Sequence, residues 1–504
     1  MKKTVAILIA LLLTLSLFSC KAKKDALEGG DFVNADGIPK EEVGAKELIP
    51  DESITPDGRI TENPFIRVSD QSVSTFSADV DTASYTYLRR LIDRGYTLSQ
   101  IRESASANLR TEELVNYFDY DYAEPEAGEL FGRTVSIASS PWNPDTYLMV
   151  LGLQAKQIAS APRNNLVFLI DVSGSMASEN KLPLLQKSFA YLTEQLGEDD
   201  LVSIVTYSGK EAIILEGCEG NRTATILNAI NGLQASGSTN GEAGLQTAYE
   251  LAERNRIPDG NNRIILASDG DLNVGISSPE ALKNYISEKR ESGVFLSVLG
   301  FGDGNFRDDT MSALAQNGNG VYYYIDGETE AKKIFGDDLL STLHTVGKDV
   351  KLQITFDGNY VEEYRLIGYE NRLLSTEDFD DDSKDAGEVG AGHTLTVCYE
   401  LKLTESAKVT TENTDFMKLA IRYKEPDGTE SILREYGIGT TALTGTPSRD
   451  FRFVSAVVEC SMILRQSRFC NPGRSLSQVI EEMEALSLPE GQAEFLTLMK
   501  KISK

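Results

Sequence analysis

Asp171-Val172-Ser173-Gly174-Ser175-Met176 follows directly on the apolar run Leu166–Ile170. One carboxylate and two hydroxyls on alternate residues form a set of hard oxygen donors. Such a set suits a hard divalent cation, Mg²⁺ foremost and Mn²⁺ or Ca²⁺ as alternatives. A turn at the C-terminal end of a buried strand is also where an open α/β sheet binds its ligands. By itself the turn reads better as a capped strand-to-helix connection, because Asp, Ser and Gly dominate turns for local hydrogen-bonding reasons. Two later segments change that balance. Gly237-Ser238-Thr239-Asn240 places a hydroxyl on a loop between two amphipathic segments, and Ser268-Asp269-Gly270-Asp271 places a second carboxylate after the strand-like Asn262–Ala267. Asp171, Ser173, Ser175, Thr239 and Asp269 are therefore the candidate metal ligands, with Asp271 less certain.

The elements around these residues alternate. Leu185, Phe189, Leu192 and Leu196 recur at helical spacing, Leu201–Tyr207 is an apolar strand, and Glu211–Leu215 is a short neighbour. Segments 226–233, 243–252 and 279–291 read as helices, and Val294–Phe301 and Val321–Ile325 finish the strand series. Gly318 stops a helix that begins near Asp308. Strands alternating with helices predict a doubly wound, mainly parallel α/β sheet of the Rossmann-like class over 164–344.

In the order Asp-x-Ser-x-Ser, distant Thr, distant Asp, the chain resembles the von Willebrand factor type A (VWA) domain. The resemblance implies a metal-ion-dependent adhesion site (MIDAS) formed by Asp171, Ser173, Ser175, Thr239 and Asp269. It further implies that the bound ion leaves a coordination position for an Asp or Glu carboxylate of a protein ligand, with Thr239 joining mainly in the ligand-bound state.

The N-terminus predicts where such a domain works. A basic start, an apolar run over Val5–Leu13 and Leu17-Phe18-Ser19-Cys20 read as a signal peptide over 1–19. The ending resembles a bacterial lipobox, which implies that Cys20 carries the lipid anchor and that the protein sits on a membrane of the cell envelope. No Asp follows Cys20, so by resemblance to envelope lipoproteins of double-membrane bacteria the outer membrane is permitted. Residues 20–70 are polar and aperiodic and read as a flexible tether. The 504-residue chain carries 77 acidic against 49 basic residues, a formal charge of −28, with no local basic patch. That balance excludes nucleic acid and favours basic, neutral or metal-bridged partners. Cys218, Cys398, Cys460 and Cys470 show no soft-metal spacing, and Cys460 in its apolar run reads as a buried free thiol.

Before the central domain, Asp79-Val80-Asp81-Thr82-Ala83-Ser84-Tyr85 leads into a helix carrying Tyr87, Leu88 and Leu91, and a second helix is expected near Glu112–Phe118. Asp79 and Asp81 are taken as helix-capping residues without a metal role. This segment, Arg110–Phe118 and Gly387–His393 resemble the flanking regions of a class of bacterial VWA lipoproteins. The flanks thus divide into 71–163, helical and strand-like, a β-rich region over 345–445, and a helical region over 446–504. Strand-like patterns at Val135–Ala138 and Tyr147–Gln154, added to those of 345–445, predict one β-sandwich in which 130–158 takes part and into which the central domain is inserted.

Metal-bridged protein binding in adhesion or assembly is the leading functional expectation. A structural scaffold with a purely structural ion ranks second and a metal-dependent hydrolase third. The only histidines are His344 and His393, and no nucleophile elbow or phosphate-cradling loop accompanies the acidic turn.

Overall fold

The computed structural model describes residues 59–158, 162–237, 242–270, 285–289, 292–302, 308–337, 343–409, 414–426 and 428–503. The signal peptide, Cys20, Thr239 and Asp271 lie outside them, as does most of the helix expected over 279–291.

Six strands form the central sheet in the order Tyr322–Ile325, Phe295–Phe301, Asn261–Ser268, Asn164–Asp171, Leu201–Tyr207, Ala212–Glu219. All neighbours are parallel except the last, which turns back antiparallel along the edge. Asn164–Asp171 is buried at every position. Its alternate side chains serve two layers: Leu166, Phe168 and Ile170 meet the helix Leu182–Gln195, while Val167 and Leu169 meet the helix Glu242–Arg254. A strand covered on both faces reads as a continuous apolar run rather than an alternating one. Phe168 packs on Phe189 at 4.6 Å between ring centroids, and Tyr249 is fully buried on the other side.

Two antiparallel sheets lie outside this domain in sequence. One runs Ile66–Arg67, Val361–Ile367, Thr394–Leu403, Asn143–Ala155, Phe131–Ser140, and the other runs Leu373–Leu374, Val73–Ser77, Thr345–Phe356, Asp415–Lys424, Ser431–Gly439. Each combines strands from before and after the central domain. Thr394–Leu403 pairs with Asn143–Ala155, and Val73–Ser77 pairs with Thr345–Phe356. Aromatic rings join the two sheets: Phe356 stacks on Tyr364 at 4.1 Å, and Tyr399 meets Phe76 and Phe356 edge-on. Part of the stretch expected to be tether belongs to this structure, since Ile60 is buried and Ile66–Arg67 pair with Tyr364 and Glu363. The stretch is polar, and its few strand residues find their pairing partner some 300 positions later. No local period could announce them.

The far face of the five-stranded sheet is covered by helices from both ends of the chain. Ala83–Asp93, Leu98–Asn108 and Thr111–Asn116 pack with Arg449–Arg465, Leu476–Glu484 and Glu490–Ile502, and with Trp142, Leu148, Val150, Ile367 and Cys398 of the sheet. Arg449–Arg465 is buried nearly all round, and its charged residues are paired there: Arg465 with Glu370 at 2.9 Å, Glu459 with Arg474 at 2.5 Å. Arg365 and Glu400 form a fully buried pair on the same side at 2.7 Å. Cys218, Cys398, Cys460 and Cys470 are all free thiols. Among the described residues no helix is long and apolar enough to cross a membrane.

Candidate functional site

Register alone brings the two acidic turns together. Strand Asn164–Asp171 runs parallel to Asn261–Ser268 with Ile170 opposite Ala267, so Asp171 and Asp269 leave the same edge from adjacent strands. The chain continues from Asp171 toward Leu201–Tyr207 on the opposite side of this strand, which makes the pair of strands the switch point of the sheet, where open α/β folds have their crevice.

The turn after Asp171 is tied in three directions. Ser173 N–H donates to Asp171 Oδ1 at 2.8 Å, and Val172 N–H donates to the Tyr207 carbonyl at 3.0 Å. Gly174 N–H donates to the Gly237 carbonyl at 3.1 Å, and Ser236 N–H donates to the Val172 carbonyl at 2.7 Å. The loop that runs up to Gly237 is therefore laced onto the Asp171–Ser175 turn. Thr239, two residues beyond, is outside the described residues. Ser173 and Ser175 hydroxyls stand 2.9 Å apart. Asp171, Ser173 and Asp269 are buried, while Ser175 is exposed, so the group opens to solvent at one side.

Two residues of the site carry no signal in motif spacing. Lys181 donates from Nζ to Asp269 Oδ2 at 2.8 Å and to the Ser175 carbonyl at 2.9 Å. It stands immediately before the helix Leu182–Gln195. A cation at a helix N-terminus is opposed by the macrodipole, so its placement there was a clue that it answers a nearby anion. Tyr207 is fully buried beside the acids, and desolvation first, then the Asp171 carboxylate, pushes its hydroxyl well above its usual range. It remains a neutral phenol.

Asp269 Oδ1 is buried and takes no hydrogen bond among the described residues, while Oδ2 takes the lysine. A buried carboxylate oxygen without a donor carries a desolvation cost that a bound cation would offset. The donors present are carboxylate and hydroxyl oxygens, the chemistry of Mg²⁺ or Mn²⁺ rather than of a thiophilic metal. The residues fit the ion.

A second acidic group lies in the N-terminal flank. Asp79, Asp81 and Glu113 are all buried and could bring one oxygen each within 4.8 Å of one another. Their oxygens are answered by the protein: Arg372 binds Asp79 at 2.7 Å and Asp81 at 3.1 Å, Asp81 N–H donates to Asp79 Oδ1, Tyr322 N–H donates to Asp81 Oδ1, and Ser84 donates to Glu113 through both N–H and Oγ. Burial opposes the Arg372 charge, and the two aspartates more than restore it, holding the guanidinium protonated. The helix-capping role expected for this segment is corrected. Thr82 makes no side-chain cap bond to the helix Ala83–Asp93, and the aspartates instead join the flank to Arg372 and to the last strand of the central sheet.

Comparison with known proteins agrees with this division. The family model "von Willebrand factor type A domain" matches residues 165–337, "von Willebrand factor" matches 58–150, and "Uncharacterized protein YfbK, C-terminal" matches 341–504. YfbK of Escherichia coli (strain K12) is 39% identical over 465 residues, covering 87% of this chain and 79% of that protein. Inter-alpha-trypsin inhibitor heavy chain H3 of Homo sapiens is 29% identical over 177 residues, 33% of this chain and 20% of that one. Among solved structures, von Willebrand factor type A from Catenulispora acidiphila is similar at a TM-score of 0.42 and 14% identity, covering 76% of this chain and 91% of that one. With three family matches in sequence and a close relative along most of its length, the chain belongs to the YfbK family of proteins, in which a von Willebrand factor type A domain is set between an N-terminal region and a C-terminal domain of the family's own.

Proposed function

We propose that this protein binds a protein partner through a divalent cation, in adhesion or assembly at the bacterial cell envelope, and that it is a binding protein rather than an enzyme. A VWA domain points to protein interaction in general. The observation that carries the finer reading is the placement of Asp171 and Asp269 at the ends of adjacent strands, with Asp269 Oδ1 buried and without a donor among the described residues. Asp171, Ser173 and Ser175 would hold the ion, with Asp269 acting directly or through water and Thr239 completing the set. When bound, the ion supplies a coordination position open to an Asp or Glu carboxylate of the partner. The chain's own residues shape access: Gly174 and Ser175 are exposed at one side, and Tyr207 is buried beside the aspartates.

Against catalysis, His344 lies beside Asn261, Asn262 and Phe295, at the opposite end of the strands from Asp171. His393 precedes a strand of the five-stranded sheet. Burial lowers both to about 4, so near neutral pH they are uncharged and weak as bases. Attachment through a lipidated Cys20, with residues 20–58 as the reach between membrane and domain, belongs to the same proposal.

Calorimetric titration with Mg²⁺ and Mn²⁺ tests it. Wild type should bind one ion, and Asp171→Ala should bind at least about a hundredfold more weakly. Equal affinity in the two would remove the metal site, and partner capture from envelope extract that is indifferent to a chelator would remove the bridging role.

A further inference from the structure

Lys181 brings a positive charge into a place that a cation is to occupy. Its side chain is only 12% exposed and its ammonium spans Asp269 Oδ2 and the Ser175 carbonyl. The contact is built into the fold. The aliphatic stem lies against Gly302, where an added Cβ would fall 2.1 Å from Lys181 Cε, so only a glycine leaves the lysine its path. Gly302 adopts φ +79°, a conformation glycine takes without strain. Its carbonyl is in turn held by the Tyr324 hydroxyl and, at 3.3 Å, by Arg90 of the flanking helix Ala83–Asp93.

Charge decides what this does. Asp171 and Asp269 contribute two negative charges to the described part of the site. With those two alone, a divalent ion would leave that part neutral, with no net charge to draw an incoming carboxylate. Lys181 adds one positive charge a few ångströms away, so the described part of the loaded site is cationic. We propose that Lys181 is the residue that sets the charge preference of the site: a tethered countercharge that weakens the hold on the bare ion and makes an anionic ligand part of the stable complex. This rests on the metal-bridged reading above and adds to it a named specificity determinant.

The test is calorimetry with Mn²⁺ alone and Mn²⁺ in the presence of acetate as a minimal carboxylate, on the full chain. Lys181→Met keeps the unbranched stem against Gly302 and removes the charge, and Lys181→Arg keeps the charge. Lys181→Met should bind Mn²⁺ about tenfold or more tighter than wild type, because a like charge has left the neighbourhood of the ion. Acetate should strengthen Mn²⁺ binding in wild type and Lys181→Arg and have no effect in Lys181→Met. Unchanged or weaker Mn²⁺ binding by a Lys181→Met protein that melts with wild type would overturn the role of the lysine while leaving the metal site standing. Lys181→Gln serves as a second neutral variant should the methionine disturb folding, with the same two outcomes. Absence of Mn²⁺ binding in wild type and every variant would sink the metal reading and this inference together.

Discussion

Among the described residues the buried aspartates of the flank and those of the central sheet behave as opposites. Asp79, Asp81 and Glu113 meet in the N-terminal flank, and their oxygens are met by Arg372, by backbone N–H groups and by Ser84. Asp171 and Asp269 meet at the switch point of the central sheet, where one lysine binds one oxygen of Asp269 and leaves its neighbour without a donor. Proximity of carboxylates is common to both. A carboxylate oxygen without a donor among the described residues belongs to the second alone. The first group is a structural joint between the flank, the sandwich and the last strand of the central sheet, and the second is the group proposed to hold the ion.

The largest expected effect breaks the joint. Arg372→Met leaves Asp79 and Asp81 buried without their shared cation, which costs about 3–5 kcal/mol, a large share of the stability of a typical domain. Urea unfolding measures it, and a loss below about 1 kcal/mol would mean that the aspartates are satisfied without the arginine. Next in size, Asp269→Asn should weaken Mg²⁺ binding about a hundredfold, or about 2.7 kcal/mol, whereas Asp79→Asn should change it less than twofold. The reverse ordering in the same titration would exchange the two groups' roles. The smallest effect separates stability from ion binding. His344 and His393 have folded pKa values near 4, below the ordinary 6.5, so the stability they contribute is complete above pH 6.5 and is lost as the pH falls toward 4. His344, the more buried of the two, accounts for about 2 kcal/mol of loss between pH 7 and pH 5. The variant His344→Gln should therefore lose less stability than wild type over that interval, and an equal loss would assign the pH dependence to other groups.

The same contrast explains what was legible in the sequence. The central sheet was readable because its parallel strands are local apolar runs between helical periods. Leu201–Tyr207 coincides with the strand found, and Asn262–Ala267 is extended by a single residue at either end. The turn Asp171–Ser175 and the loop Ser268–Gly270 were readable because each sits where such a strand ends. The contribution of Val73–Ser77 was not, since its partners lie beyond residue 350 and each of its faces mixes apolar with hydroxyl residues, Val73 with Thr75 and Ser77, Phe76 with Ser74. Nor was the meaning of Asp79 and Asp81. Local chemistry allows a cap, and only the fold brings Arg372 across nearly 300 residues to take them. Lys181 failed to stand out for a related reason: its partner Asp269 is 88 positions away, and the sole local hint was a cation at the wrong end of a helix.

The most direct test of the central claim is anomalous scattering from crystals of the full chain grown with Mn²⁺. The account predicts a single strong peak ligated by Asp171, Ser173 and Ser175, with Asp269 in its first or second layer and none at Asp79, Asp81 and Glu113. A peak at the flank cluster, or no peak beside Asp171 at a concentration that saturates binding in solution, would contradict it.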